Sequence, residues 1–250
     1  NHDIIKGFEF IIRNECARGG WGEAIGDEPN VLSTTYVLDT LIKLMQIPEL
    51  KKLLSPSVAL AARPATTRGL TWLIEQRDKD GLWQYADNSE YKPLYSAHVL
   101  GFTPQLVSSF YDEIIESLNT LISLTNNGGI PATWGGKPDF TTTALCLYAL
   151  LRIDPDKYSL QIDGFVSWLI AQVCSDEWLL EYSCLEGIFG LVSLTQLPNM
   201  PRNELTPIVN PIFENPLLSK YALLDKPDYW LEVDRRYQLG ITTTIERMYL

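Results

Sequence analysis

The sequence predicts an all-α protein of repeated helical hairpins, an arrangement that can close into an α/α toroid. Three observations predict it. Lys6-Gly7-Phe8-Glu9-Phe10-Ile11-Ile12 lies over Arg68-Gly69-Leu70-Thr71-Trp72-Leu73-Ile74 at an offset of 62, which also carries Gly19 onto Gly81, Trp21 onto Trp83 and Val37-Leu38 onto Val99-Leu100. One register held over so long a span marks an internal repeat. Apolar residues then recur at i, i+3, i+4 (Phe8, Ile11, Ile12; Leu70, Leu73, Ile74), one face of a helix. Each copy finally has a second apolar segment opened by small polar residues that suit helix starts.

The elements follow in chain order. The first hairpin is expected over residues 3–47, with its second helix opening at Ser33-Thr34-Thr35-Tyr36. Residues 48–65 hold three prolines and read as a short helix and a linking loop. The second hairpin, 66–103, has its inner helix from Tyr95-Ser96-Ala97-His98. The third, 106–153, runs through Gly128-Gly129 and Trp134 to Thr141-Thr142-Thr143-Ala144, and the fourth, 160–196, passes Trp178 before Tyr182-Ser183-Cys184-Leu185. Trp21, Trp83, Trp134 and Trp178 thus read as one recurring position that staples each turn. No Asn-Gly or Asp-Gly hairpin is expected between alternating runs. Six prolines break up residues 198–228, a terminal helix is expected over 235–250, and a fifth start of the inner-helix kind, Thr242-Thr243-Thr244-Ile245, appears at the C-terminus. All 250 residues read as one domain, and the abrupt ends as a fragment of a longer protein.

Composition narrows the function. Lys plus Arg is 20 against Asp plus Glu 31, a formal charge of −11, which disfavours nucleic acid and anionic membrane surfaces as partners. The longest apolar run, Ala144–Leu151, has eight residues, too few for a membrane span. Cys16, Cys146, Cys174 and Cys184 form no C-x-x-C pair and read as reduced, mostly buried thiols of a cytoplasmic protein.

Arg68-Gly69-x-x-Trp72-Leu73-x-x-Gln76-x-x-x-x-Gly81-x-Trp83 resembles the glutamine–tryptophan repeat of squalene and oxidosqualene cyclases, and related repeats occur in the β-subunits of protein prenyltransferases. Lys6-Gly7-x-x-Phe10-Ile11 to Gly20-Trp21 is a second copy with Asn14 in place of the Gln. The Gln spacing is one residue shorter than the usual family pattern. The resemblance, over residues 3 to about 195, implies a ring around an apolar cavity whose aromatic side chains stabilise carbocations. It also implies a proton donor, the middle Asp of D-x-D-D-T-A. That frame is Asp139-Phe140-Thr141-Thr142-Thr143-Ala144 here, with Thr at the second and third Asp positions. A Thr hydroxyl cannot act as a carboxylic-strength acid.

With His2 and His98 alone among histidines, the Asp-Cys-His zinc set of the prenyltransferases is not expected. D-D-x-x-D, C-G-E-Q and G-x-S-x-G are absent too, so no metal and no cofactor is anticipated. The candidates that remain are Asp139 and His98 for acid–base work and Tyr36, Tyr95, Thr141, Thr142, Tyr182, Cys184 and Trp230 for contact with a ligand. Asp139 also suits a helix cap and His98 a hydrogen-bonded inner-helix position. Asp39 and Glu186 sit on inner-helix patterns where a charge would be unusual. The balance favours a catalytically degenerate toroid binding an apolar, isoprenoid-like molecule, a protein partner or an adjoining domain. The alternative is an isoprenoid cyclase or processing enzyme with a non-standard acid.

Overall fold

The computed structural model describes residues 2–46, 48, 52, 54–85, 89–103 and 105–173, and the regular elements among them are all helical. The described chain falls into two compact units, one through Arg77 and the other from Asp78 onward. The fourth inner-helix start, the proline-rich stretch and the terminal helix lie outside the described residues.

In the first unit α1 (His2–Arg13), α2 (Val31–Gln46) and α3 (Pro56–Glu75) pack so that α3 meets both others. Phe8 and Ile11 are buried on α1, as their spacing requires, and Val37, Leu38 and Leu41 are buried on α2. Each such side chain stabilises the fold by roughly 1.5–3 kcal/mol. Residues 48–65 depart from expectation, because helix α3 already begins at Pro56. Ser55 caps it by accepting from the Val58 N–H, and Pro56 occupies the first helical position, where no N–H is needed. Pro64 is carried inside the helix. Leu60, whose carbonyl Pro64 cannot bond, is exposed, so water can take that carbonyl.

The second unit holds a 3₁₀ turn (Ser89–Tyr91), α4 (Lys92–Phe102), the short α5 (Leu106–Ser109), α6 (Tyr111–Ser123), α7 (Phe140–Ile153) and α8 (Ser159–Val173). Every residue of α7 from Phe140 to Leu150 is buried, which explains a segment that is apolar nearly all round. It packs between α4 and α8.

One turn recurs. Gly19 N–H bonds Cys16 C=O at 2.9 Å while Cys16 N–H bonds Gly20 C=O at 3.0 Å; Gly81, Asp78 and Leu82 repeat this at 3.0 Å for both bonds. Gly19 and Gly81 adopt φ of +89° and +76°, a left-handed conformation that only glycine takes at little cost. In the third copy Asn126 and Gly129 exchange both bonds across Asn127-Gly128, with φ of +46° and +89°. This Asn-Gly turn joins two helices and not two strands. It is one residue shorter than the other two turns.

The next outer helix rests on each turn. A Cβ on Gly19 would stand 2.9 Å from the Arg68 carbonyl oxygen, and Ser117 donates to Gly81 C=O at 2.5 Å. Gly128 and Gly129 face Trp168. Ser117 holds the position on α6 that Gly69, next to Arg68, holds on α3, so hairpin stacking repeats within each unit.

Candidate binding face at the inner-helix starts

A single hydrogen bond defines the register of the three inner helices. Trp21 N–H donates to Thr34 Oγ1, Trp83 N–H to Ser96 Oγ and Ile130 N–H to Thr143 Oγ1, each at 2.9 Å and each across 13 residues. The Ser and Thr residues that sequence reading assigned to caps therefore sit one turn inside, where they hold the chain entering the hairpin. Capping falls to other residues. Ser33 N–H donates to Asn30 Oδ1 at 2.9 Å, and Thr142 N–H to Asp139 Oδ2 at 2.7 Å.

The same register corrects the tryptophan series. Because the third turn is shorter, Ile130 takes the place of Trp21 and Trp83 and is fully buried as they are. Trp134 lies beyond it, 43% exposed. Trp178 is outside the described residues.

Asp139 has the geometry of a capping carboxylate. Its Oδ2 also accepts from Thr142 Oγ1 at 2.6 Å. Thr141 and Thr142, at the positions where the cyclase-like frame would carry acids, are buried. Asp139→Ala should cost about 1 kcal/mol of stability and Asp139→Asn only a few tenths, because Asn caps equally well. Urea denaturation of both variants reads the difference, and equal losses would remove the cap assignment.

The other candidates are distributed over both units. In the first, Tyr36 is half-buried on α2, and buried Asp39 pairs with Lys43 Nζ at 2.9 Å. In the second, buried His98 stacks on Phe102 with ring centroids 5.9 Å apart. Tyr95 is half-buried under two other tyrosines, Tyr85 at 5.5 Å and Tyr91 at 6.4 Å, with ring planes tilted by 51° and 47°. Tyr182, Cys184, Glu186 and Trp230 lie outside the described residues.

Sequence reading missed Tyr85, Tyr91 and Lys92 and placed Trp134 wrongly. Trp134 N–H bonds Glu90 C=O at 3.2 Å and Leu94 N–H bonds Ala132 C=O at 3.3 Å, so the start of α4 and the loop before α7 form one surface. Tyr91 is 39% exposed there. Lys92 replaces the capping Asn30 and Asp139 of the neighbouring copies. Its buried ammonium pairs with Asp78 and, at 3.3 Å, with Asp80. The break in capping chemistry at Lys92 was the one signal the sequence offered.

The first unit carries an open cleft of about 830 Å³ lined by Arg13, Asn14, Cys16, Asp27, Glu28 and Gln76 among others. It is polar. Burial, opposed by a Gly22 backbone hydrogen bond and reinforced by Glu28, Glu15 and Asp27, raises the Cys16 thiol above its usual range. Burial alone pushes Cys146 far higher. Native Cys146 should resist iodoacetamide at pH 8 and react once urea unfolds the chain, as mass spectrometry would register. An unfolded thiol titrates near 9.0 and the buried one well above, so this contribution is intact below pH 9 and lost as pH rises past it. Rapid native labelling would contradict the burial.

Among the described residues there is no group of three or more His, Cys, Asp or Glu placed to hold a metal ion, and no helix long and apolar enough to cross a membrane. Compared with known proteins, the chain matches no family model and no curated protein.

Proposed function

We propose that this chain is a catalytically degenerate toroid of the squalene-cyclase and prenyltransferase kind, acting by binding a protein partner or adjoining domain. The observation that carries the reading lies at the third inner-helix start. Asp139 is engaged in the cap, and the two positions that would complete the acid frame are buried threonines. No carboxylic acid is left in that frame to protonate an alkene. Exposed Tyr91 and Trp134 at the matching end of α4 and α7 supply the kind of aromatic surface that anchors interfaces. Hairpin stacking through the repeated turn supports the ring architecture.

A second reading rests on His98 and Asp39, two buried titratable side chains on inner helices. It makes the chain an isoprenoid enzyme with an unconventional acid. The experiment is native mass spectrometry with farnesyl diphosphate, geranylgeranyl diphosphate and squalene, followed by product analysis. No turnover is expected. A cyclic hydrocarbon or released diphosphate, abolished by His98→Ala, would establish the enzyme instead; intact retention would make the ligand an apolar molecule.

A further inference from the structure

Building on that binding reading, we infer that the face formed by Tyr85, Tyr91, Tyr95 and Trp134 seats an arginine or lysine side chain of a partner protein. Tyr95 is the shared ring, against which Tyr85 and Tyr91 are both tilted. The Trp134 backbone is fastened beside them by its amide N–H bond to Glu90 C=O. The rings offer electron-rich faces to a cation. Glu90, exposed and bonded between the two exposed aromatics, supplies the counter-charge. The adjoining cation is withdrawn, because Lys92 is buried against Asp78 and Asp80. Lys137 is exposed farther along the same loop. A chain of net charge −11 also attracts basic partners from a distance.

The test uses the whole chain and a fluorescent Arg-Gly-Ser peptide, with a citrulline-for-arginine peptide as its neutral counterpart. Anisotropy titrations should show the arginine peptide binding and the citrulline peptide not. Tyr91→Leu and Trp134→Leu keep apolar bulk but remove the π face, and each should weaken binding about tenfold. Glu90→Gln should weaken it a few-fold, an effect that salt mimics. Circular dichroism checks that each variant folds. Equal binding by wild type and both leucine variants would reduce the interaction to bulk charge and overturn the assignment, as would no binding at all. In either case, absence of turnover in the isoprenoid assay leaves the binding reading standing, whereas a product there removes it independently.

Discussion

Trp21→Ala is expected to destabilise the first unit by about 3–5 kcal/mol, the range for truncating a fully buried large aromatic. Trp21 has no exposed surface, and its indole N–H donates to Ile11 C=O at 2.8 Å, so the substitution opens a cavity and takes from that carbonyl one of its two donors, the Asn14 N–H at 3.2 Å remaining. The ring also fits one particular gap. A Cβ on Gly69 would lie 2.7 Å from Trp21 Cζ3 and 2.9 Å from Leu38 Cδ2. The Arg-Gly pair that opens the second copy of the repeat thus makes room for the tryptophan of the first. Urea unfolding followed by circular dichroism gives the loss, with Trp21→Phe as a milder comparison. A cost below about 1 kcal/mol would mean that the site collapses around the missing ring.

Thr143→Val should cost about 1–3 kcal/mol, because it leaves the buried Ile130 N–H without its acceptor. The side chain is close in volume, so the loss reports the hydroxyl more than the packing. Thr143→Ser should recover most of it, since Ser96 makes the same bond at 2.9 Å in the second copy. Thr143 also donates to Asp139 C=O at 2.7 Å, which ties the clasp to the cap. Asp139→Ala and Thr143→Val share this network, and their double variant should not be additive. Equal stability of the valine and serine variants would show that the hydroxyl contributes nothing.

A periodicity of 3.6 is a property of the chain alone, so Phe8 and Ile11 could be placed on a buried face before any packing was known. The offset of 62 is equally local, and it carried the turn glycines and the first two tryptophans onto each other correctly. It could not place Trp134. In the third copy the place of Trp21 and Trp83 falls on Ile130, ahead of Trp134, and only the Ile130 N–H bond to Thr143 Oγ1 shows it. Proline misled in another way at Pro64: a helix tolerates it where the deprived carbonyl lies on an exposed turn, and exposure is settled by neighbours.

The candidate site divides along the same line. The missing carboxylates of the Asp139 frame are a matter of residue type, and the sequence shows them outright. The Asp139 cap is local, a bond to a residue three positions on, and residue type already suited it; the burial of His98 and the joining of Trp134 to Glu90 depend on segments distant in sequence meeting in space. By itself the sequence determined a helical repeat, the register of its first two copies, its acidic charge and the absence of carboxylates from Thr141 and Thr142. Tertiary structure alone decided which hydroxyls clasp the incoming chain and which aromatics remain exposed, because long-range hydrogen-bond partners and solvent access are properties of packed surfaces.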